Sequence, residues 1–491
     1  MSFWKRFLVG TLLIVVATAA ASATAAFNEL DKIVTALREG GQLELGTELV
    51  EAGTGDPQTI MLIGSDIPTP GTEGTEAPGG SGGEGEARSD TVILVRLDPA
   101  EGATALMSLP RDLKVNIPGH GTDRLNAAYS LGGPKLTLET VKELTGLQIN
   151  HVINIDFGGF QQAVDRLGCV YTDVDRDYFS PGLEYAYINL NPGYQKLCGR
   201  DALSYVRFRH EDTDLVRSAR QQDFLRQAKQ QISVSRLISD RDDLIKIFGQ
   251  YTDSDLNSRS SALRLLKLVV SSANQPFREV HFEAEIGESF VTASDETVKK
   301  LAQEFLGVEE GEGPRAPAPP DIGEQAKAVN KPDGFGSDGG SDDKQKRAKL
   351  EDASVDGLAQ AELVESQGAR LPVFYPRLRT PGSVFEPEPN AYRIPVEGQG
   401  KQPAYRMVIS TGGIGEYYGV QGTTWKNPPI LDDPTETRTA GGRRFELHYD
   451  GDRLRLVAWR TKDAVYWISN TLTQSLSAKE MLEIAASTRE L

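Results

Sequence analysis

From Glu309 to about Gln367 the sequence offers nothing from which a core could be built. The stretch holds Pro317-Ala-Pro-Pro320, a glycine-rich run from Gly334 to Gly340 and mixed charge. Such a segment buries too little apolar surface to offset the entropy of ordering it. It reads as a disordered linker over residues 308–367, and it divides the 491 residues into two parts. Each part is long enough for its own core. The first, residues 57–307, alternates short apolar runs with helical patterns and is expected to be α/β. The second, residues 368–491, is expected to be a small α+β domain with aromatic strands. A chain ended near Leu306 is expected to fold and to retain lipid-phosphate binding without it.

The N-terminus carries Lys5 and Arg6, then no charge from Phe7 to Ala26. About 20 apolar residues suffice to cross a bilayer as a helix. The basic flank places residues 1–6 in the cytoplasm and the remaining chain outside it. A cleaved signal peptide is the competing reading, because Ala21-Ser-Ala23 and Ala23-Thr-Ala25 are small-x-small sites. An anchor over residues 7–26 is favoured, followed by a membrane-proximal segment over 27–56. Export gives the two cysteines, Cys169 and Cys198, a setting in which they pair. A disulfide closing that loop is worth roughly 3–4 kcal/mol in the chain-entropy view. The formal net charge of −17 argues against a general affinity for nucleic acid.

Gln42 to Glu51 alternates weakly and reads as a strand. Thr59 to Ile63 and Val92 to Val95 read as buried strands, and Thr104 to Ser108 as a third that forms a hairpin with the second. Between the first two, Pro68 to Ala87 reads as a mobile loop. The three strands end or begin at Asp66, Asp90 and the pair Arg111-Asp112. Asp at a strand terminus is common in turns, so only convergence on one sheet edge would make these residues a site. A strand is expected over Val152–Ile155 and a helix over Phe157–Leu167.

Tyr205 to Gln222 concentrates four arginines, three carboxylates and two glutamines in an acidic protein. In an extended segment Arg207 and Arg209 point to one side. On a helix Arg217, Arg220 and Gln221 share a face. Two such groups aimed at one spot suit a ligand with several anionic oxygens, because the guanidinium fork matches phosphate geometry and stays charged. The plainer alternative is a solvated turn rich in ion pairs.

Taken together, Gly64-Ser-Asp66, Arg88-Ser-Asp-Thr91, Ser108-Leu-Pro-Arg-Asp112, Leu125-Asn-Ala-Ala-Tyr129 and Arg207-x-Arg209 with Asp214-x-x-Arg217-x-x-Arg220-Gln221 resemble the LytR-CpsA-Psr family, in that family's order. The resemblance covers roughly residues 57–307. It implies an α/β/α sandwich around a mixed sheet, with a pocket for a lipid tail. It implies an extracytoplasmic transferase, bound to the membrane by its N-terminal helix. The reaction would move a glycopolymer, teichoic-acid-like or arabinogalactan, as sugar phosphate from a polyprenyl-pyrophosphate carrier to peptidoglycan. Asp66 and Asp90 would hold Mg²⁺ or Mn²⁺. Arg111, Arg207, Arg209, Arg217, Arg220 and Gln221 would contact the pyrophosphate. Arg124 stands where many members have lysine, which keeps the charge and changes its geometry. Asp112 and Asp214 either orient these arginines, or Asp214 acts as base. A hydrolase of the same lipid and a non-enzymatic lipid-binding regulator are the other readings.

Overall fold

The structure, a computed structural model, describes residues 41–65, 89–182, 187–208, 212–307 and 350–491, apart from a few single positions. The N-terminal apolar run and the loop from Pro68 to Ala87 lie outside them. No helix among the described residues is long and apolar enough to cross a membrane.

The apolar runs of the first part form one mixed six-stranded sheet. Its elements in chain order are β1 (Gln58–Ser65), β2 (Ser89–Asp98), β3 (Ala103–Leu109), β4 (His151–Asp156), β5 (Thr252–Ser254) and β6 (Phe277–Val280). The spatial order is β5-β4-β1-β2-β3-β6. β2 lies antiparallel between β1 and β3, while β4 runs parallel to β1 and β6 parallel to β3. Alternate residues of each strand face opposite sides. Met61, Ile63, Val92 and Leu94 pack with the helices Leu125–Thr145 and Asp295–Leu306. Ile60 and Leu97 face Leu256, Leu265 and Leu268 on the other side. Covering both faces gives the α/β/α sandwich and explains why the strands are nearly unbroken apolar runs. Gln42–Glu51 is not a strand: a single bridge joins Gln42 to Ser254, and a 3₁₀ turn follows at Gly46–Glu48.

A second, smaller core lies beside the sheet edge. It joins α1 (Phe157–Arg166), α2 (Gly199–Arg207) and α3 (Asp214–Gln231) through Val164, Tyr205, Val206, Phe208 and Phe224. The disulfide Cys169–Cys198 ties its loops, as expected.

The C-terminal part is an eight-stranded antiparallel sheet carrying the helices Ser354–Ser366 and Ala478–Ser487 on its core face. Ser477 and Glu480 form a capping box at the start of the second of these helices. Two expectations need correction. The linker does not reach Gln367, because Ser354–Ser366 is helical and buries Ala361 and Val364 in this core. Nor are the two parts separate bodies. Tyr194 of the first part is fully buried in a cluster with Ile394, Trp425 and Trp467 of the second. Asp173 is paired with the buried Arg406 and accepts from the Trp467 indole. Arg226 on α3 bonds Asp223, Glu279 and, at 3.2 Å, Asp450.

Candidate active site at the strand edge

The register brings the three strand ends together. Ser65 lies opposite Ser89, Val92 opposite Leu109, and Ser65 beside Asp156 of β4. Asp156 caps α1 by accepting from the Gly159 amide at 2.7 Å. The residue after Ser65, Asp66, lies outside the described residues, as does the side chain of Asp90, whose backbone continues β2. The Ser65 and Ser89 hydroxyls at this edge are buried and have no hydrogen-bond partner among the described residues. An all-oxygen edge of this kind fits a hard divalent cation and not a soft one. Two other groups of metal-ligating type occur among the described residues, and neither is at this edge. One contains the disulfide cysteines; the other, Glu279, His281 and Asp450, is crossed by the Arg226 guanidinium.

Arg111 and Asp112 follow β3 in a turn fixed from both sides. The Arg111 carbonyl accepts from Asn126 and the Asp112 carbonyl from Val291, each at 3.0 Å. Arg111 Nε lies 3.8 Å from Asp112 Oδ1, so the carboxylate can orient the guanidinium. Arg124 is exposed, with its guanidinium 5.8 Å from the Phe290 ring centroid.

Arg207 is not in an extended segment but is the last residue of α2, which buries Ala202, Leu203, Tyr205 and Val206. Its guanidinium lies 3.9 Å from the Phe157 ring centroid. A side chain at Gly64 would touch that same ring, so Arg207 stands close to the end of β1. Gln221 reaches the edge directly: its amide donates to Thr91 Oγ1 at 2.9 Å and to the Val206 carbonyl at 3.2 Å. Thr213 caps α3, and Asp214 and Arg217 pair on its first turn with both side chains buried. Asp214 Oδ2 is buried and has no hydrogen-bond partner among the described residues. Arg209 lies outside them.

Arg220 departs from the expected ligand contact. It is fully buried, and its guanidinium is bonded to Asp212, to the Phe208 carbonyl at 2.8 Å and to the Tyr178 hydroxyl at 3.2 Å. The plainer alternative, ion pairing within the chain, holds for this arginine because Asp212 folds back over it.

The family model for LytR-CpsA-Psr proteins matches residues 20–301, more than half of the chain. The protein belongs to the LytR-CpsA-Psr family. A polyisoprenyl-teichoic acid–peptidoglycan teichoic acid transferase, TagU, of Oceanobacillus iheyensis is 30% identical over 230 residues, covering 45% of this chain and 70% of the relative. A probable cell wall biosynthesis protein, LcpB, of Corynebacterium glutamicum is 39% identical over 166 residues, covering 33% of this chain and 39% of the relative. The crystal structure of Bacillus subtilis TagV aligns with a TM-score of 0.41 at 24% identity, covering 52% of this chain and 100% of the other.

Within this LytR-CpsA-Psr domain, sequence reasoning missed Asp175, Arg176 and Asp212. Asp212 takes Arg176 at 2.7 Å on one oxygen and Arg220 on the other. Asp175 accepts from the Tyr178 hydroxyl at 2.6 Å. Burial pushes the Asp175 carboxyl above the ordinary carboxylate range, against the opposing pull of Arg220. The available signal was charge density: Asp173-Val-Asp-Arg-Asp177 sits between the apolar residues Val170 and Tyr178. Charges so placed are rarely buried unless paired.

Proposed function

We propose that this protein transfers a glycopolymer, as sugar phosphate, from a polyprenyl-pyrophosphate carrier to peptidoglycan outside the cytoplasm. The observation that carries the reading is the gathering of Arg111, Arg207 and Gln221 around one strand edge through Asp112, Phe157 and Thr91, with Arg217 one turn before Gln221 on the same helix, paired with Asp214. The name of the Oceanobacillus relative supports the same chemistry. An acceptor hydroxyl oxygen forms a bond to the sugar-bearing phosphorus. The bond from that phosphorus to the bridging oxygen breaks, and lipid phosphate leaves with the electron pair. Arg111, Arg207 and Arg217 stabilise charge on the phosphate oxygens through charge-assisted hydrogen bonds. Asp214 Oδ2, which has no hydrogen-bond partner among the described residues, is the proposed acceptor of the hydroxyl proton. Asp66 and Asp90 are proposed to hold Mg²⁺ or Mn²⁺, which when bound supplies further neutralisation of the phosphates. The prenyl tail is assigned to the layer between the sheet and the helices over 241–272, where Leu62, Val95, Ile153 and Phe248 are only partly buried. Residues 7–26 are proposed as the anchor.

The test is turnover of a short-chain polyprenyl-pyrophosphate glycan with a peptidoglycan acceptor, alongside ligand retention. Asp90→Asn should lower turnover strongly and leave retention partly intact. Arg217→Ala should lower both, weakening binding by about 1.5–3 kcal/mol. Arg217→Lys should also be poor, because it loses the bidentate fork. Release of lipid phosphate at the same rate without acceptor would make the protein a hydrolase. Bound lipid with no turnover in added metal would make it a lipid-binding regulator.

A further inference from the structure

The C-terminal domain touches the clamp helix α3 at its first turn and again at Arg226, and the first of these contacts bears on ligand binding. The turn from Thr411 to Glu416 joins the strands Gly400–Ser410 and Tyr417–Thr423. It is fixed within its own domain. The Thr411 amide donates to the Glu416 carbonyl at 3.0 Å, and the Glu416 carboxylate accepts from Ser475 at 2.7 Å and from Thr473.

Its tip lies against the start of α3. A Cβ at Gly415 would come within 2.7 Å of Val216 Cγ1 and 3.1 Å of Asp212 Oδ1. Gly415 also has φ +72°, a conformation that side chains resist. Two residues on, the Tyr417 ring centroid lies 5.3 Å from the Arg176 guanidinium, which is 4.7 Å from the ring of Tyr178. Arg176 holds Asp212, and Asp212 holds Arg220. The next residue after Asp212 is Thr213, which caps the turn bearing Asp214 and Arg217. A continuous packed path therefore runs from the C-terminal turn to the first turn of α3.

We propose that the C-terminal domain is a brace for the phosphate clamp, with Gly415 and Tyr417 as positioning residues that set Arg217 through Arg176 and Asp212. This rests on the transferase reading for the nature of the ligand, but not for the mechanical link. Misplacing a binding group by a fraction of an ångström lowers its contribution even when the group is chemically intact.

The experiment uses the full chain with Tyr417→Phe, Tyr417→Ala, Gly415→Val and, as a remote control, Arg460→Ala. Arg460 pairs with Glu446 within the C-terminal sheet and does not touch the turn from Thr411 to Glu416 in any described contact. Two quantities are read at a temperature well below unfolding. One is the affinity for farnesyl pyrophosphate; the other is amide hydrogen exchange over residues 212–222. Tyr417→Ala and Gly415→Val should weaken binding roughly ten- to a hundredfold and speed exchange at the start of α3. Tyr417→Phe and Arg460→Ala should match the parent in both. If Gly415→Val does not fold, the Ala and Phe variants at Tyr417 decide the matter. Parent-like binding and exchange in Tyr417→Ala would overturn the brace, as would exchange that rises equally throughout the C-terminal sheet. If the parent does not bind farnesyl pyrophosphate, the transferase reading fails, and the exchange pattern alone decides the brace.

Discussion

Arg217 and Arg220 sit one turn apart on the same helix, and only Arg217 is proposed as a ligand contact. Arg217 is held by Asp214 on the first turn of α3, whereas Arg220 is enclosed by Asp212, Tyr178 and the Phe208 carbonyl. Removing one partner of a buried pair costs about 3–5 kcal/mol, because the other charge is left unpaired. Arg220→Ala should therefore lose that much stability in urea denaturation; Arg217→Ala, which leaves the buried Asp214 unpaired, should lose stability too and, unlike Arg220→Ala, ligand affinity through a lost direct contact. A helical-face argument cannot separate the two, since it places both on one stripe; the separation comes from Asp212, whose direction no spacing rule gives. A second residue makes a pH prediction. Burial lowers the His448 ring to about 3, with Arg455 and Arg460 opposing its protonation further. The unfolded chain then binds the extra proton below the ordinary histidine range near pH 6.5. The stability present above that pH is lost as pH falls, by about 1.4 kcal/mol per unit. The stability difference between the parent and His448→Gln should shift with that slope between about pH 6 and pH 4. A flat difference would mean that the ring is protonated in the folded protein.

At the scale of elements, legibility followed burial. β1, β2 and β3 were readable because both faces of the sheet are covered, so their apolar runs are nearly continuous. The hairpin Lys114–Ile117 with Gly121–Arg124 was not, because its second strand is exposed throughout and carries no apolar pattern. The helix Ser354–Ser366 was lost in the linker for a related reason. Its buried residues are Gly357, Gln360, Ala361 and Val364, a set with little apolar contrast. The convergence of strand ends was only suggested by the Asp and Arg positions, and the register supplies it. α3 offers a prediction of its own. The Thr213 hydroxyl accepts from the Val216 amide at 3.3 Å and caps the turn bearing Asp214 and Arg217. Thr213→Ala should cost about 1 kcal/mol of stability and weaken pyrophosphate binding, while Thr213→Ser restores both. Calorimetry and binding titration on the three proteins check this.

For the whole molecule, the polarity of the linker was a poor guide to independence. The composition of a connecting segment says nothing about whether the bodies it joins adhere. Here they adhere through Tyr194 in an aromatic cluster and through buried charges on Asp173, Arg226 and Glu279. A chain ended after Gly307 would leave Asp173 without Arg406 and would uncover Tyr194. It should be poorly soluble or fail to bind farnesyl pyrophosphate, and residues 350–491 added separately should restore part of the binding. Retained solubility and full affinity in the truncated chain would show the interface to be dispensable. The interface also has a meaning for descent. Asp173 with Arg406, and Arg226 with Asp450, are pairs split between the two halves of one chain. A C-terminal domain acquired by recombination from a relative that lacked these partners would arrive with orphaned charges facing orphaned charges. Lineages should therefore pass the two halves on as a unit, and a change at Asp173 should be found accompanied by a change at Arg406.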